Sequence, residues 1–249
     1  MPYPKISVVL NAYKRLHYLD EQIKAVCKQS VPPAEILIWN NSGTILPINI
    51  NSYGIPITVI SASRNTGVWS RFFLSYNCIG EYIAVFDDDT IPGRLWFLNC
   101  LTCMAEKMGL YGTIGCRFGN ISYVEGMTRK GWDSQNNNIE EVDIIGHAWF
   151  FKKEWLKYFA NDLPDLERFK IVGEDFHLSY SFRKYGGIKS YVPPHPGHNK
   201  ELHGSIKPME YGADDVATYK QPGTYDKFED AYNYWIKFLG HKLVRYSNP

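Results

Sequence analysis

Three features of the sequence predict an α/β protein built on a mostly parallel sheet sandwiched by helices. Short β-rich apolar runs alternate with segments of helical period through the first half of the 249-residue chain. The order they give is β-α-β-β-α-β, which favours parallel strands covered on both faces. An acidic triplet, Asp87, Asp88 and Asp89, follows directly on one of the apolar runs. Charges gathered where a strand leaves the core lie where such folds bind ligands.

The first run, ISVVL at residues 6–10, reads as a buried strand. Leu16, Leu19, Ile23, Val26 and Cys27 then recur at helical spacing, and Pro32 and Pro33 stop that helix because proline lacks the N–H it needs. A second strand at 36–39 leads into residues 40–55, rich in Asn, Ser, Gly and Pro and read as loop. A third strand is expected at 57–60 and a helix at 67–79, before the apolar run YIAVF that carries the acids. The second half is less regular. Its pattern predicts a helix at 95–108, a strand at 111–116, a long polar stretch at 119–141, and a strand at 143–151. Short helices follow at 153–160 and 174–185, the latter closed by Gly186 and Gly187. After Val192 the segment PPHPGHNKELHGSIKP is too rich in Pro, Gly and His for regular structure. Residues 227–243 are expected to form a helix packed back on the body.

Composition narrows the function. The chain is 45% hydrophobic with a formal net charge of +1, which provides no bulk electrostatic pull toward nucleic acid or an acidic membrane. No apolar run reaches the length of a membrane span, and the N-terminus enters a strand too soon to be a secretory signal, so a cytosolic protein is expected. The five cysteines are odd in number and mostly set in apolar segments, as free thiols in a reducing compartment would be. Cys100 and Cys103 form a CxxC inside a helical pattern with no second pair, so packing explains them better than zinc.

Three adjacent carboxylates repel one another unless a cation or water relieves them. On a sharply turning strand end, hard oxygen ligands suit Mn²⁺ or Mg²⁺, with positions left for water and phosphate oxygens. Such an ion would neutralise a departing diphosphate. A solvated loop is the plainer alternative.

The motifs NAYKR (residues 11–15), WNNSG (39–43), SRNTG (63–67) and VFDDDT (85–90) follow in the order seen in GT-A type nucleotide-sugar glycosyltransferases, which the chain thus resembles. General family 2 enzymes carry an Asp-rich turn after the second strand. Asn40 and Asn41 in that place are similar to the exostosin-type transferases, and so is the Asp-Asp-Asp-Thr run. The resemblance continues through IGHAWFF (145–151) and GEDFHLSY (173–180) and leaves the C-terminal tail unmatched. It implies a GT-A type sheet with a Rossmann-like nucleotide lobe, residues 1–92, fused to an acceptor-binding lobe and tail, residues 93–249, in a single catalytic domain.

The resemblance also implies roles. Asn11, Tyr13 and Arg15 would line the nucleotide pocket, with Tyr13 stacked on a base and Arg15 near ribose or phosphate. Asn40 or Asn41 would bond the edge of uracil, since an amide both donates and accepts. Asn65 and Arg71 would lie beside the sugar nucleotide. Asp89 is expected to contact the metal directly, with Asp87 and Asp88 reaching ribose or metal-bound water, because neighbours on a strand point to opposite sides. Glu174 and Asp175 open a helix, where acids also complement the helix dipole. If transfer inverts the anomeric centre, Asp175 would be the general base; under retention it would position the acceptor or stabilise an oxocarbenium-like centre.

His195 or His203, in the loop after the last strand, is a further candidate metal ligand. His147 falls near the expected acceptor, where packing accounts for it equally. Trp69, Trp132 and Trp149 are expected to border the site, since their faces pack against sugar C–H groups. The expected reaction is transfer of a sugar from a nucleoside diphosphate, UDP in the first place, to a hydroxyl of a glycan or glycoconjugate. Three alternatives compete. An Asp-nucleophile phosphohydrolase would need its Thr one place later than Thr90. A sugar nucleotidylyltransferase would need a Gly-rich basic loop that NAYKRLHYL lacks. A non-catalytic sugar-binding domain of the same fold would show no transfer.

Overall fold

The computed structural model describes residues 3–246. In chain order its strands are β1 (Ile6–Ala12), β2 (Glu35–Asn40), β3 (Ile57–Ser61), β4 (Tyr82–Phe86), β5 (Leu110–Arg117), β6 (Thr128–Gly131), β7 (Glu140–Val142), β8 (Ile144–Lys152) and β9 (Ser190–Val192). The α-helices are α1 (Leu19–Cys27), α2 (Ser70–Leu74), α3 (Trp96–Glu106), α4 (Leu156–Phe159), α5 (Glu174–Gly186), α6 (Pro208–Gly212) and α7 (Thr224–Tyr232).

All nine strands form one sheet in the order β3-β2-β1-β4-β8-β5-β9-β7, with β6 paired to β5. The first four are mutually parallel. β8 then runs antiparallel to both β4 and β5, while β9 is parallel to β5. β1 and β4 are fully or almost fully buried because both faces of the sheet are covered there. The chain leaves β1 toward β2 on one side and returns to β4 on the other. That reversal opens a crevice at the carboxyl ends of β1 and β4, and the acidic triplet begins at the residue after β4.

Three expectations are corrected. The helix expected at 67–79 shrinks to α2 and a 3-10 turn at Ser75–Asn77, because Gly67 takes a left-handed φ of 79° and the preceding residues form a hydrogen-bonded turn. The polar stretch 119–141 contains β6 and β7, which are strands only because they find partners in β5 and β9. The terminal helix divides into α7 and a π-helical turn, Asn233–Phe238, and ends before Gly240, whose φ is 69°.

Under α5 the core is largely aromatic. Phe118 stacks on Phe176 at 5.4 Å and Phe176 on Trp235 at 5.8 Å. Burying each such side chain contributes roughly 1.5–3 kcal/mol, so the C-terminal turn that carries Trp235 anchors the start of α5. Cys78, Cys100, Cys103 and Cys116 are buried, and no disulfide joins the five cysteines. Among the described residues no helix is long and apolar enough to cross a membrane.

Candidate active site

The crevice is a cleft of about 300 Å³ lined by Asn11, Tyr13, Arg15, Asn41, Asn65, Arg71, Asp87, Asp88, Asp89, Glu174 and Asp175. Eleven positions singled out from sequence therefore meet in one place, drawn from the ends of β1 and β4, two turns, α2 and the first turn of α5.

Two buried arginines hold the acids apart. The Arg15 guanidinium lies 3.0 Å from Asp88 and 3.1 Å from Asp89 through Nη1, and its Nε and Nη2 donate a bidentate pair to Asp214 at 2.9 and 2.6 Å. The Lys14 and Arg15 backbone N–H groups also donate to Asp88. Arg71 donates to Glu174 at 2.8 Å and lies 3.2 Å from Asp87, with its guanidinium 4.8 Å from the Trp149 ring. Arg is suited to this because its planar fork serves several carboxylates while stacking on an aromatic face.

His147 projects from β8 beside the triplet. Its Nδ1 lies 3.5 Å from Asp89 and has no hydrogen-bond partner. Ligand atoms of Asp87, Asp89 and His147 all fall within 4.8 Å of one another. The imidazole stacks on Trp132 at 5.3 Å, 22° from coplanar. Both residues have left-handed backbones, φ 66° for His147 and 55° for Trp132, at a cost of about 1–3 kcal/mol each that the surroundings must offset. The His147 carbonyl accepts from the Asp87 N–H and the Trp132 N–H donates to Thr113, which fixes both.

Ionisation follows from burial. Burial, then repulsion by Glu174 and Asp87, holds the Asp175 carboxyl well above the usual carboxylate range, and Arg71 offsets only part of this. Asp175 Oδ1 has no hydrogen-bond partner, and Gly146 on β8 leaves room for its other oxygen. Burial also raises Asp87 and Glu174 against the pull of Arg71. Asp89 goes the other way: burial would raise it, but His147 and Arg15 together hold it low. Burial alone would lower His147, and the two aspartates outweigh it.

Three sequence candidates lie outside the cleft. Asn40 is buried and holds its own turn, donating to the Thr44 carbonyl and Ser61 Oγ while accepting from Ser42. His195 is 1% exposed, with Nδ1 2.8 Å from the Pro193 carbonyl and Nε2 accepting from the Gly204 N–H. His203 Nε2 meets the Pro196 carbonyl at 2.9 Å. Each ring nitrogen shares a proline carbonyl that also accepts an N–H, from the Asn136 side chain at Pro193 and from the Asn199 backbone at Pro196, so both rings are tied into the loop. Trp69 is buried with its indole N–H on the Phe169 carbonyl, while Trp149 underlies Arg71.

Sequence reasoning missed Asp214. It lies in the 208–224 segment, which crosses the cleft: Tyr211 donates to Glu21, and Gly212 packs so closely that an added Cβ would sit 3.2 Å from Asp89. Nothing local marks Asp214, whose partner is 199 residues away.

A parallel half-sheet with acids at its switch point and a carboxylate pair opening a helix across the cleft is the arrangement of a GT-A type glycosyltransferase. Residues 7–159 match the model of "Glycosyl transferase family 2", and the chain belongs to that family. It is 33% identical over 95 residues to the uncharacterized glycosyltransferase YwdF of Bacillus subtilis, and 29% identical over 109 residues to an uncharacterized glycosyltransferase of Haemophilus influenzae. These matches cover 36% and 42% of this chain and 35% and 34% of the relatives, so the chain spans about a third of their length. Its fold is similar to S. aureus TarS 1-349 in complex with UDP, at a TM-score of 0.55 and 17% identity over 76% of this chain and 60% of that one. It is also similar to the mannosyltransferase PcManGT of Pyrobaculum calidifontis in complex with GDP-Man and Mn²⁺, at 0.54 and 15% over 92% and 69%.

Proposed function

We propose that this glycosyltransferase moves a sugar from a nucleoside diphosphate, with UDP as the preferred carrier, to a hydroxyl of a carbohydrate acceptor, using Mn²⁺ or Mg²⁺. The observation that carries this reading is the placement of Asp87, Asp89 and His147 within one ion's reach, with Asp175 lining the same cleft. Two carboxylates and an imidazole suit a borderline-hard divalent ion, and the unpartnered Nδ1 of His147 leaves a lone pair for it. UDP and GDP-Man with Mn²⁺ are the ligands of the two structural neighbours, which supports the class of donor.

A divalent ion bound here would supply charge to the diphosphate as it leaves. The chain's own residues do the rest. Arg15 and Arg71 keep positive charge beside the phosphates, and Tyr13 lies beside the base. In an inverting transfer Asp175 takes the proton of the acceptor hydroxyl while the oxygen of that hydroxyl forms a bond to the anomeric carbon and the bond from that carbon to the diphosphate breaks. A free Oδ1 and a raised pKa suit that general base. The aromatic wall of Tyr123, Tyr219 and Phe228 gives an acceptor sugar faces to pack on.

The test is a screen of nucleotide sugars for Mn²⁺-dependent thermal stabilisation and for transfer to glycan acceptors. A UDP-sugar should raise the melting temperature only with the ion present, and Asp89→Ala should remove both that shift and transfer while leaving the unliganded fold intact. Turnover unchanged in Asp89→Ala, or no nucleotide sugar responding to either ion, would defeat the proposal.

A further inference from the structure

We infer that Asn41 is a positioning residue for nucleotide recognition and does not touch the base, while Tyr13 and Asn65 make that contact. This rests on the proposed nucleotide site. Asn41 is 3% exposed. An asparagine side chain has two N–H donors and an oxygen able to accept two bonds, and Asn41 uses all four within one turn. Its Oδ1 accepts from the Thr66 N–H at 2.9 Å and the Thr66 hydroxyl at 3.1 Å. Its Nδ2 donates to Asn65 Oδ1 at 2.9 Å and to the Gly67 carbonyl at 3.2 Å. The two backbone partners fix which end is oxygen and which is nitrogen. No donor or acceptor is left over for a ligand.

What Asn41 holds is a short relay into the cleft. Asn65 Oδ1 also accepts from the Gly67 N–H, and its Nδ2 donates to the Tyr13 hydroxyl at 2.8 Å. Asn65 therefore keeps one N–H, and Tyr13 keeps its own O–H proton. Both residues are half-buried and line the cleft at the end of β1 and the turn that precedes α2. Two spare donors side by side fit the carbonyl oxygens of a nucleobase. The geometry also explains why an amide stands at position 41: a carboxylate there would put one oxygen, in the place of Nδ2, against both the Gly67 carbonyl and Asn65 Oδ1, and would turn the Asn65 amide away.

A double-mutant cycle read by calorimetric titration of UDP in the presence of Mn²⁺ tests this. Asn41→Asp should weaken UDP about tenfold in the wild-type background, as expected for losing roughly one hydrogen bond's positioning, and less than twofold in the Asn65→Ala background. A residue that only supports the fold, or one that reads the base directly, would cost the same factor in both backgrounds, and that additivity would overturn the inference. So would an Asn41→Asp protein that binds UDP as well as wild type. Thr66→Ala, which loosens Asn41 from its other side, supplies the same cycle if Asn41→Asp fails to fold. Wild type binding neither UDP nor GDP would instead bring down the nucleotide site itself.

Discussion

At Asp175 the balance of burial and charge decides the chemistry. A carboxylate paired with arginine would be a poor base, and Glu174 beside it is so paired, through Arg71. Asp175 lies next to that pair with Oδ1 unpartnered, and burial raises its pKa. Asp175→Asn should therefore keep UDP affinity within about twofold while cutting transfer by roughly 10²-fold or more, as for a lost general base. A fall in UDP affinity with transfer per bound donor unchanged would reassign Asp175 to binding. The pH profile has a definite sign. The base must be ionised, so a raised pKa means that the rate is complete at high pH and falls with acidification through a value above the ordinary carboxylate range. A profile flat from about pH 8 down to about pH 5 would contradict this assignment.

The element that delivers the carboxylate pair is α5, and its first turn depends on Gly173. That residue has φ 100°, and a Cβ there would meet the Trp235 ring at 2.8 Å. Gly173→Ala should cost about 1–3 kcal/mol, through left-handed strain and displacement of Trp235. Urea denaturation measures it, and an unchanged midpoint would show that the turn repacks freely. The same element illustrates what a single sequence reveals. Glu174, Asp175, the helical spacing behind them and the closing Gly187 all lie within one local stretch, as do the apolar run and acids of β4. β6, β7 and the 208–224 segment were not legible, because their structure comes from partners distant in the chain. Gly131 closes on Ile114, Glu140 on Val192, and Asp214 on Arg15. His195 and His203 misled for a related reason. A histidine in a Pro-rich loop looks exposed until the fold closes the loop on it, as it does on these two rings, which are buried against each other.

Across the molecule, charge buried on folding ties stability to pH. His177, His195 and His241 are each at most 6% exposed, and each has a ring nitrogen against a backbone carbonyl: Phe159, Pro193 and Asp143 respectively. Burial pulls them down to about 4, about 3 and about 4. A histidine whose folded pKa lies below its unfolded value stabilises the fold fully above about pH 6.5, and that contribution is lost as pH falls toward the folded pKa, because the unfolded chain then binds the extra proton. The raised carboxylates Asp87, Asp143, Glu174 and Asp175 work in the opposite sense over the same range, so the net slope mixes both. Comparing wild type with a variant isolates one histidine. His177 is the clearest, fully buried among Trp69, Phe159 and Trp235, with Nδ1 unpartnered. His177→Gln keeps a donor for the Phe159 carbonyl and removes the titration. Between about pH 7.5 and about pH 5, wild type should lose about 2 kcal/mol relative to this variant in urea denaturation. A gap independent of pH would mean that His177 takes up its proton as readily in the folded chain as in the unfolded one, and would overturn the burial-lowered pKa.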